Sequence, residues 1–189
     1  MVAQVVRSIV IPNGIVTAHA DSSLIFKPIN GRERIVKLRH RVSVMMGCQD
    51  CEGNIFRLIV GDYSGTVRFI SFPEMKLVQS IQLTMSKVTA LSIHEPSGKK
   101  MVIAGLENGE VHAIGETLPN GSLILFKSET SIGLIRSSEE ILTIHSGWVR
   151  DVRHWDGDEM TQARRWFEPP IPPNRRKSTQ LTLPTAAPA

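Results

Sequence analysis

"RLIVGDYSGTVRFISF", residues 57–72, and "KMVIAGLENGEVHAIG", residues 100–115, share one shape. Each is an apolar run, a turn built on Ser-Gly or Asn-Gly, and a second run. In the second run of the first stretch, Val67 and Phe69 face one side and Thr66 and Arg68 the other. Two further stretches join them: "GIVTAHADSSLIFKP", residues 14–28, and "EILTIHSGWVRDV", residues 140–152. Aligned on the turn, Ser22, Gly65, Gly109 and Gly147 coincide at spacings of 43, 44 and 38 residues, and Leu24, Val67, Val111 and Val149 each follow two places later. Ser64-Gly65, Asn108-Gly109 and Ser146-Gly147 are read as two-residue hairpin turns in which glycine takes a positive φ without a Cβ clash.

The flanks repeat as well. A short apolar strand is expected before each hairpin, at Val5–Ile11, Val42–Met46, Val88–His94 and Ile132–Ile135. Another follows three of them, at Arg34–Leu38, Leu77–Leu83 and Leu123–Phe126. No stretch shows helical periodicity. The unit is therefore four strands in some 43 residues, the period of a β-propeller blade.

The second unit, residues 41–83, resembles a repeat of the WD-repeat family. Ile70-Ser71, Ile114-Gly115 and Val152-Arg153 stand where that family carries its Trp-Asp pair, and the Gly-His pair that opens its repeats is absent. The likeness rests on period and strand pattern over residues 3–155. It implies an all-β chain: a partial β-propeller of about four four-stranded antiparallel blades, at 1–40, 41–83, 84–127 and 128–157. A sandwich or barrel also suits such strand spacing. Three units read as complete, and the fourth shows three strands. WD-like rings close with more blades than this, so partner blades, a second copy or a shortened chain are each expected to account for the raw edges. Function follows from the resemblance: a non-catalytic protein–protein interaction scaffold within a larger assembly. Its rivals are a propeller enzyme with a site at the blade axis and a nucleic-acid-associated subunit that uses a basic tail.

From residue 158 to 189 the composition changes to Pro-rich and basic, with few aliphatics, and disorder is expected. Within this tail, Pro170, Pro173 and Arg175 fit a PxxPxR pattern, with Pro169 and Pro172 beside them. Polyproline II has three residues per turn, so Pro170 and Pro173 share the face that a Src-homology 3 domain accepts, and Arg175 supplies the charge. The alternative is a solvated linker. Arg164-Arg165 and Arg175-Arg176-Lys177 resemble a two-part nuclear import signal at slightly short spacing, and are read first as a solvated basic tail.

Other classes are disfavoured. Net charge is +4 and scattered ahead of the tail, a weak footprint for nucleic acid. There is no apolar run of membrane-spanning length and no secretory pattern at the start, and two cysteines make no disulfide framework. A cytoplasmic or nuclear chain with reduced thiols is expected. Cys48 and Cys51 form a CxxC expected in a loop, with His40 as the single nearby ligand, which is no metal site. His19, His112 and His145 are read as strand or loop residues, and Asp62 and Glu107 as turn caps. Trp148 and Trp155 are expected to pack on the last hairpin, and Met45, Met46, Met75, Met85 and Met101 to fill core or loops. No cofactor, metal or catalytic constellation is expected.

A peptide of residues 166–179 is expected to bind a Src-homology 3 domain with modest affinity. Replacing Pro170 and Pro173 by Ala abolishes that binding, and Arg175→Glu weakens it and flattens its salt dependence. Titration against a panel of such domains checks this. Equal binding by the double-Ala peptide makes the segment a linker.

Overall fold

The computed structural model describes residues 3–167, apart from 51, 117, 119, 120, 139, 140 and 156–159. Among the described residues the chain forms sixteen strands in four antiparallel sheets, each of four strands in chain order. The first sheet holds β1 (Val5–Ile11), β2 (Gly14–His19), β3 (Ser23–Pro28) and β4 (Arg34–Lys37). The second holds β5 (Val42–Gln49), β6 (Ile55–Asp62), β7 (Thr66–Ser71) and β8 (Lys76–Gln82). The third holds β9 (Val88–His94), β10 (Met101–Leu106), β11 (Glu110–Ile114) and β12 (Ser122–Lys127). The fourth holds β13 (Ile132–Ser138), β14 (Ile141–Ser146), β15 (Val149–Trp155) and β16 (Met160–Phe167).

Two expectations change here. The fourth sheet has its outer strand: β16 pairs with β15 from Val149↔Phe167 to Trp155↔Met160. A tail beginning at 158 is therefore too early, and residues through Phe167 belong to the sheet. Met160–Phe167 contains two arginines, a glutamine and a threonine, which hid the strand. Outer strands face water on much of their surface, as β4 and β8 do, and so carry no clean apolar pattern. In addition, Cys48 lies within β5 rather than in a loop. The tail motif Pro169, Pro170, Pro172, Pro173, Arg175 lies outside the described residues, as does Cys51.

The sheets stack in sequence by their first strands, β1 on β5, β5 on β9 and β9 on β13. Three apolar cores fill the junctions. Val16, Ala18, Leu24 and Phe26 of the first sheet meet Leu58, Val60 and Ile70 of the second. Ile59, Val67 and Phe69 meet Val88, Val102 and Ala104. Ile103, Val111 and Ala113 meet Ile132, Leu142 and Ile144. The middle strands are therefore buried on both faces, which explains the unbroken apolar runs at 58–60 and 102–104.

The hairpins explain the aligned turn position. Ser22, Gly65, Gly109 and Gly147 all take positive φ, at 68°, 82°, 85° and 57°. The first three hairpins are not two-residue turns. Each has a three-residue loop whose last residue donates its N–H to the carbonyl three places back, Ser22 to His19, Gly65 to Asp62 and Gly109 to Leu106. This is a turn closed by a left-handed residue. The fourth closes through Gly147 and Trp148 alone. The tip carbonyls of Ser22, Gly65 and Gly109 then accept the N–H of Leu38, Leu83 and Ser128, just past the outer strand of the same sheet. That contact is tight: a Cβ on Gly65 would sit 2.1 Å from the Thr84 carbonyl oxygen and 2.5 Å from that of Ser86.

Gly65→Val is therefore expected to cost about 2–4 kcal/mol, from backbone strain and overpacking together. Urea unfolding of the two proteins checks this, and an unchanged midpoint refutes the turn geometry. Truncation separates the two readings of the C-terminal segment. A chain ending at 167 keeps the full melting temperature, and one ending at 157 melts several degrees lower because β15 loses its partner strand.

Candidate functional site

The charged residues nearest the hairpins serve the fold. Asp62 is fully buried, and Arg68 is 8% exposed. Asp62 Oδ1 accepts the N–H of Ser64 at 2.8 Å, the N–H of Thr66 at 3.0 Å and the Ser64 hydroxyl at 2.7 Å. Its Oδ2 accepts from the Arg68 guanidinium. Burial pushes the Asp62 carboxyl up, but the hydrogen bonds from Arg68, Ser64 and Thr66 outweigh it and hold the group below the usual carboxylate range. A carboxylate so fully engaged is a turn cap with a counter-ion, as expected of Asp62. In the third sheet Leu106 is the strand-end residue that Asp62 is in the second. There Glu110 lies 3.1 Å from His112 Nε2 and accepts from Lys127 at 3.2 Å, and the His112 contact is foremost in holding its carboxyl down. Glu107 pairs with Lys87 at 3.5 Å on the surface.

The junctions follow a repeated rule. At the start of each first strand the register slips by one residue, between 5 and 7, 42 and 44, 88 and 90, and 132 and 134. The extra residue is Val6, Ser43, Thr89 or Gly133. The Ser43 hydroxyl donates to Gly61 O at 3.1 Å and across the junction to Val88 O. The Thr89 hydroxyl does the same to Gly105 O, at 3.0 Å, and to Ile132 O. In the first sheet Arg7 Nε, at 3.0 Å from Ser43 O, makes the equivalent link. Beside these links the second strand carries a small residue, Ala18, Gly61 or Gly105. A Cβ on Gly61 would lie 2.6 Å from Val88, and one on Gly105 2.3 Å from Ile132.

The rule stops at the fourth sheet. By register, Thr143, His145, Arg150 and Val152 stand where the third sheet turns Ile103, Gly105, Val111 and Ala113 toward its successor. A histidine replaces the obligatory glycine, a charge replaces a valine, and Gly133 has no hydroxyl to donate. This face is not shaped for another sheet packed as the first three are. At the opposite end, the outward face of the first sheet leaves Val10 81% and Ile35 63% exposed, alongside half-buried Ile15 and Ile25.

Between the second and third sheets lies a cavity of about 370 Å³. Phe69, Ile81 and Ile114 line it, and Arg57, Lys99, Lys100 and Glu116 also border it. Cys48 sits on its wall, 8% exposed, with its thiol pushed up by burial. Trp155 joins the apolar core with Leu142 and Ile144 of its own hairpin, and it also stacks on His94 of the third sheet with ring centroids 5.2 Å apart.

No family model and no curated protein matches the chain. Solved structures do match. The structure of U3-55K superposes with a TM-score of 0.66 and 15% identity, over 85% of this chain and 51% of that one. The crystal structure of the RRP9 WD40 repeats gives a TM-score of 0.64 and 16% identity, over 85% and 51%. The computationally designed Ika4 protein gives 0.60 and 16%, over 85% and 88%. The fold is a WD-repeat-like β-propeller. The chain spans about half the length of U3-55K and of the RRP9 repeats, so its sheets are blades of a partial propeller. Sequence reasoning missed the junction hydroxyls, although Val42-Ser43 and Val88-Thr89 recur one blade apart at the expected strand starts. It also missed the polar face of blade four, for which His145 in a glycine position is the readable signal.

Removing the Asp62 carboxylate leaves Arg68 buried without a counter-charge, so Asp62→Ala is expected to lose about 3 kcal/mol. The effect is pH-dependent. A depressed folded-state pKa means that the Asp62 contribution is present above the unfolded-state value of about 4 and is lost as pH falls through the lower folded-state value. The stability gap between wild type and Asp62→Asn therefore narrows on acidification below pH ~4. Denaturant titrations at several pH values read it, and a pH-independent gap refutes the ion pair.

Proposed function

We propose that the chain is a protein–protein interaction scaffold, a non-catalytic propeller subunit of a larger assembly. The observation that carries this reading is the pair of end faces. Blades one to three each bury an apolar quartet against a successor, and the stack then stops on a polar face. Blade one, at the other end, keeps the apolar pairs Val10–Ile15 and Ile25–Ile35 on its outward face, with Thr17 and Lys27 between them. Exposed apolar side chains rimmed by polar ones mark a place where another protein sits. The reading assigns that face to a partner protein. A second copy joined end to end fits poorly, because it would press Val5 onto His145, where the other junctions need glycine or alanine.

The titratable groups around the hairpins cap turns and pair with one another, and the solved structures with this fold include WD40 repeats. Both support a binding role over a catalytic one. A cytoplasmic or nuclear location belongs to the same proposal and suits a free thiol at Cys48. The Pro169–Arg175 motif is proposed as a second docking element for Src-homology 3 domains.

Sedimentation of the purified chain, alone and with its co-purifying proteins, tests the reading. The expected result is a complex heavier than the 21.0 kDa chain that Val10→Asp with Ile35→Asp dissolves without lowering the melting temperature. A stable 21.0 kDa species that co-purifies with nothing, in either form, overturns it.

A further inference from the structure

The three junctions differ at one repeated position. Two residues past Ile70, Ile114 and Arg153 of the pairs Leu58↔Ile70, Val102↔Ile114 and Leu142↔Arg153, at or just beyond the end of the third strand, stand Phe72, Glu116 and Trp155. Phe72 reaches back to blade one and packs edge-on against Phe26, ring centroids 4.6 Å apart. Trp155 reaches back to blade three, stacks on His94 and is 1% exposed. Each aromatic plugs the end of the junction it faces. At the junction between blades two and three the equivalent residue is Glu116, exposed to water, and the cavity of about 370 Å³ opens there. Phe69, which by register is the counterpart of Phe26, lies on its wall with no aromatic partner from the next blade. The cavity is the space of a missing plug.

We propose that this cavity receives an aromatic side chain from an extended, acidic segment of a partner protein. The aromatic preference comes from the two filled junctions, where Phe and Trp occupy the same place. The size agrees, since ligand pockets begin at about 300 Å³. The acidic preference comes from the rim. Arg57 on blade two and Lys99 and Lys100 on blade three surround the opening, against the single acid Glu116. Glu95 lies 3.9 Å from Lys100, but both are half exposed and the pair is weak. A segment with carboxylates on either side of a Phe or Trp thus meets apolar walls below and cations above. This site deepens the scaffold reading and rests on it.

A random-peptide display library selected against the full chain provides the probes. The expected peptides share a Phe or Trp flanked by Asp or Glu. Glu116→Trp, which refills the plug from within, is expected to keep or raise the melting temperature and to weaken those peptides by about tenfold or more, as burying a hot-spot aromatic is worth at least that much. Lys99→Glu with Lys100→Glu changes only exposed side chains. It is expected to weaken the same peptides and to reduce the salt dependence of binding. In a Cys51→Ser background, bound peptide slows alkylation of Cys48 on the cavity wall. Enriched peptides that bind wild type, Glu116→Trp and the double Lys variant alike overturn the cavity proposal and leave the scaffold reading standing. No enrichment of any peptide also overturns the cavity proposal, whereas the scaffold reading falls only with the sedimentation result.

Discussion

The fold depends on how closely each blade lets the next approach. Blades twist, so their first strands come nearest at one end, and at that end two backbones must nearly touch. Ala18, Gly61 and Gly105 supply the clearance, and the Ser43 and Thr89 hydroxyls use it to bond carbonyls of the following blade. A bulge in every first strand opens that place, and in the second and third blades it holds the hydroxyl. The extra residue turns out of the ladder and toward the neighbour. Hydrophobic burial then makes the rest of the junction, but it is non-directional and would hold two sheets at many offsets. The hydrogen bonds and the glycine contacts fix one offset and repeat it.

The hairpin tips impose the second constraint. A left-handed residue reverses the chain, and its carbonyl catches the N–H just past the outer strand, so one turn closes both the hairpin and the blade. Glycine at 65 and 109 meets a backbone carbonyl where a Cβ would be. Ser22 shows that a non-glycine residue can hold the same turn, with a positive φ of 68°. Beneath the second tip, Asp62 and Arg68 bring charge into a buried strand. Such a pair adds little net stability, because desolvation offsets the attraction, yet half of it alone is costly. It fixes the turn geometry more than it raises stability.

Much of this was legible in the chain. The turn positions gave the period, the period gave the blades, and Val67, Arg68 and Phe69 fell on the faces that alternation assigns. The reading failed where sequence carries no burial signal. β16 is an outer strand with arginines, and its pairing is a backbone property that its side chains do not announce. Three-residue loops look like two-residue ones when only the Gly position is read. Cys48 was placed in a loop because the apolar run weakens after Met46, although the ladder continues to Gln49. The cavity lies beyond any local pattern, since it is made by a side chain that is not there. It becomes readable once the register sets Phe72, Glu116 and Trp155 in one column.

That column also separates what holds the propeller together from what it offers to others. A position that completes a core in two blades and abandons it in a third has been released from the needs of packing. Filling the space with Phe or Trp would lower the free energy of the fold, as it does at both neighbouring junctions. The chain instead keeps an exposed Glu116 and an unfilled apolar space, with three cations beside it. The same contrast holds at the ends of the stack. His145, Arg150 and Gly133 give up the small residue and the apolar contact that every other junction uses, and the hydroxyl that two of the three use. Independent drift would scatter such departures. Here they gather at the face that would meet a fifth blade, so that face is not built to take a blade packed as the first three junctions are.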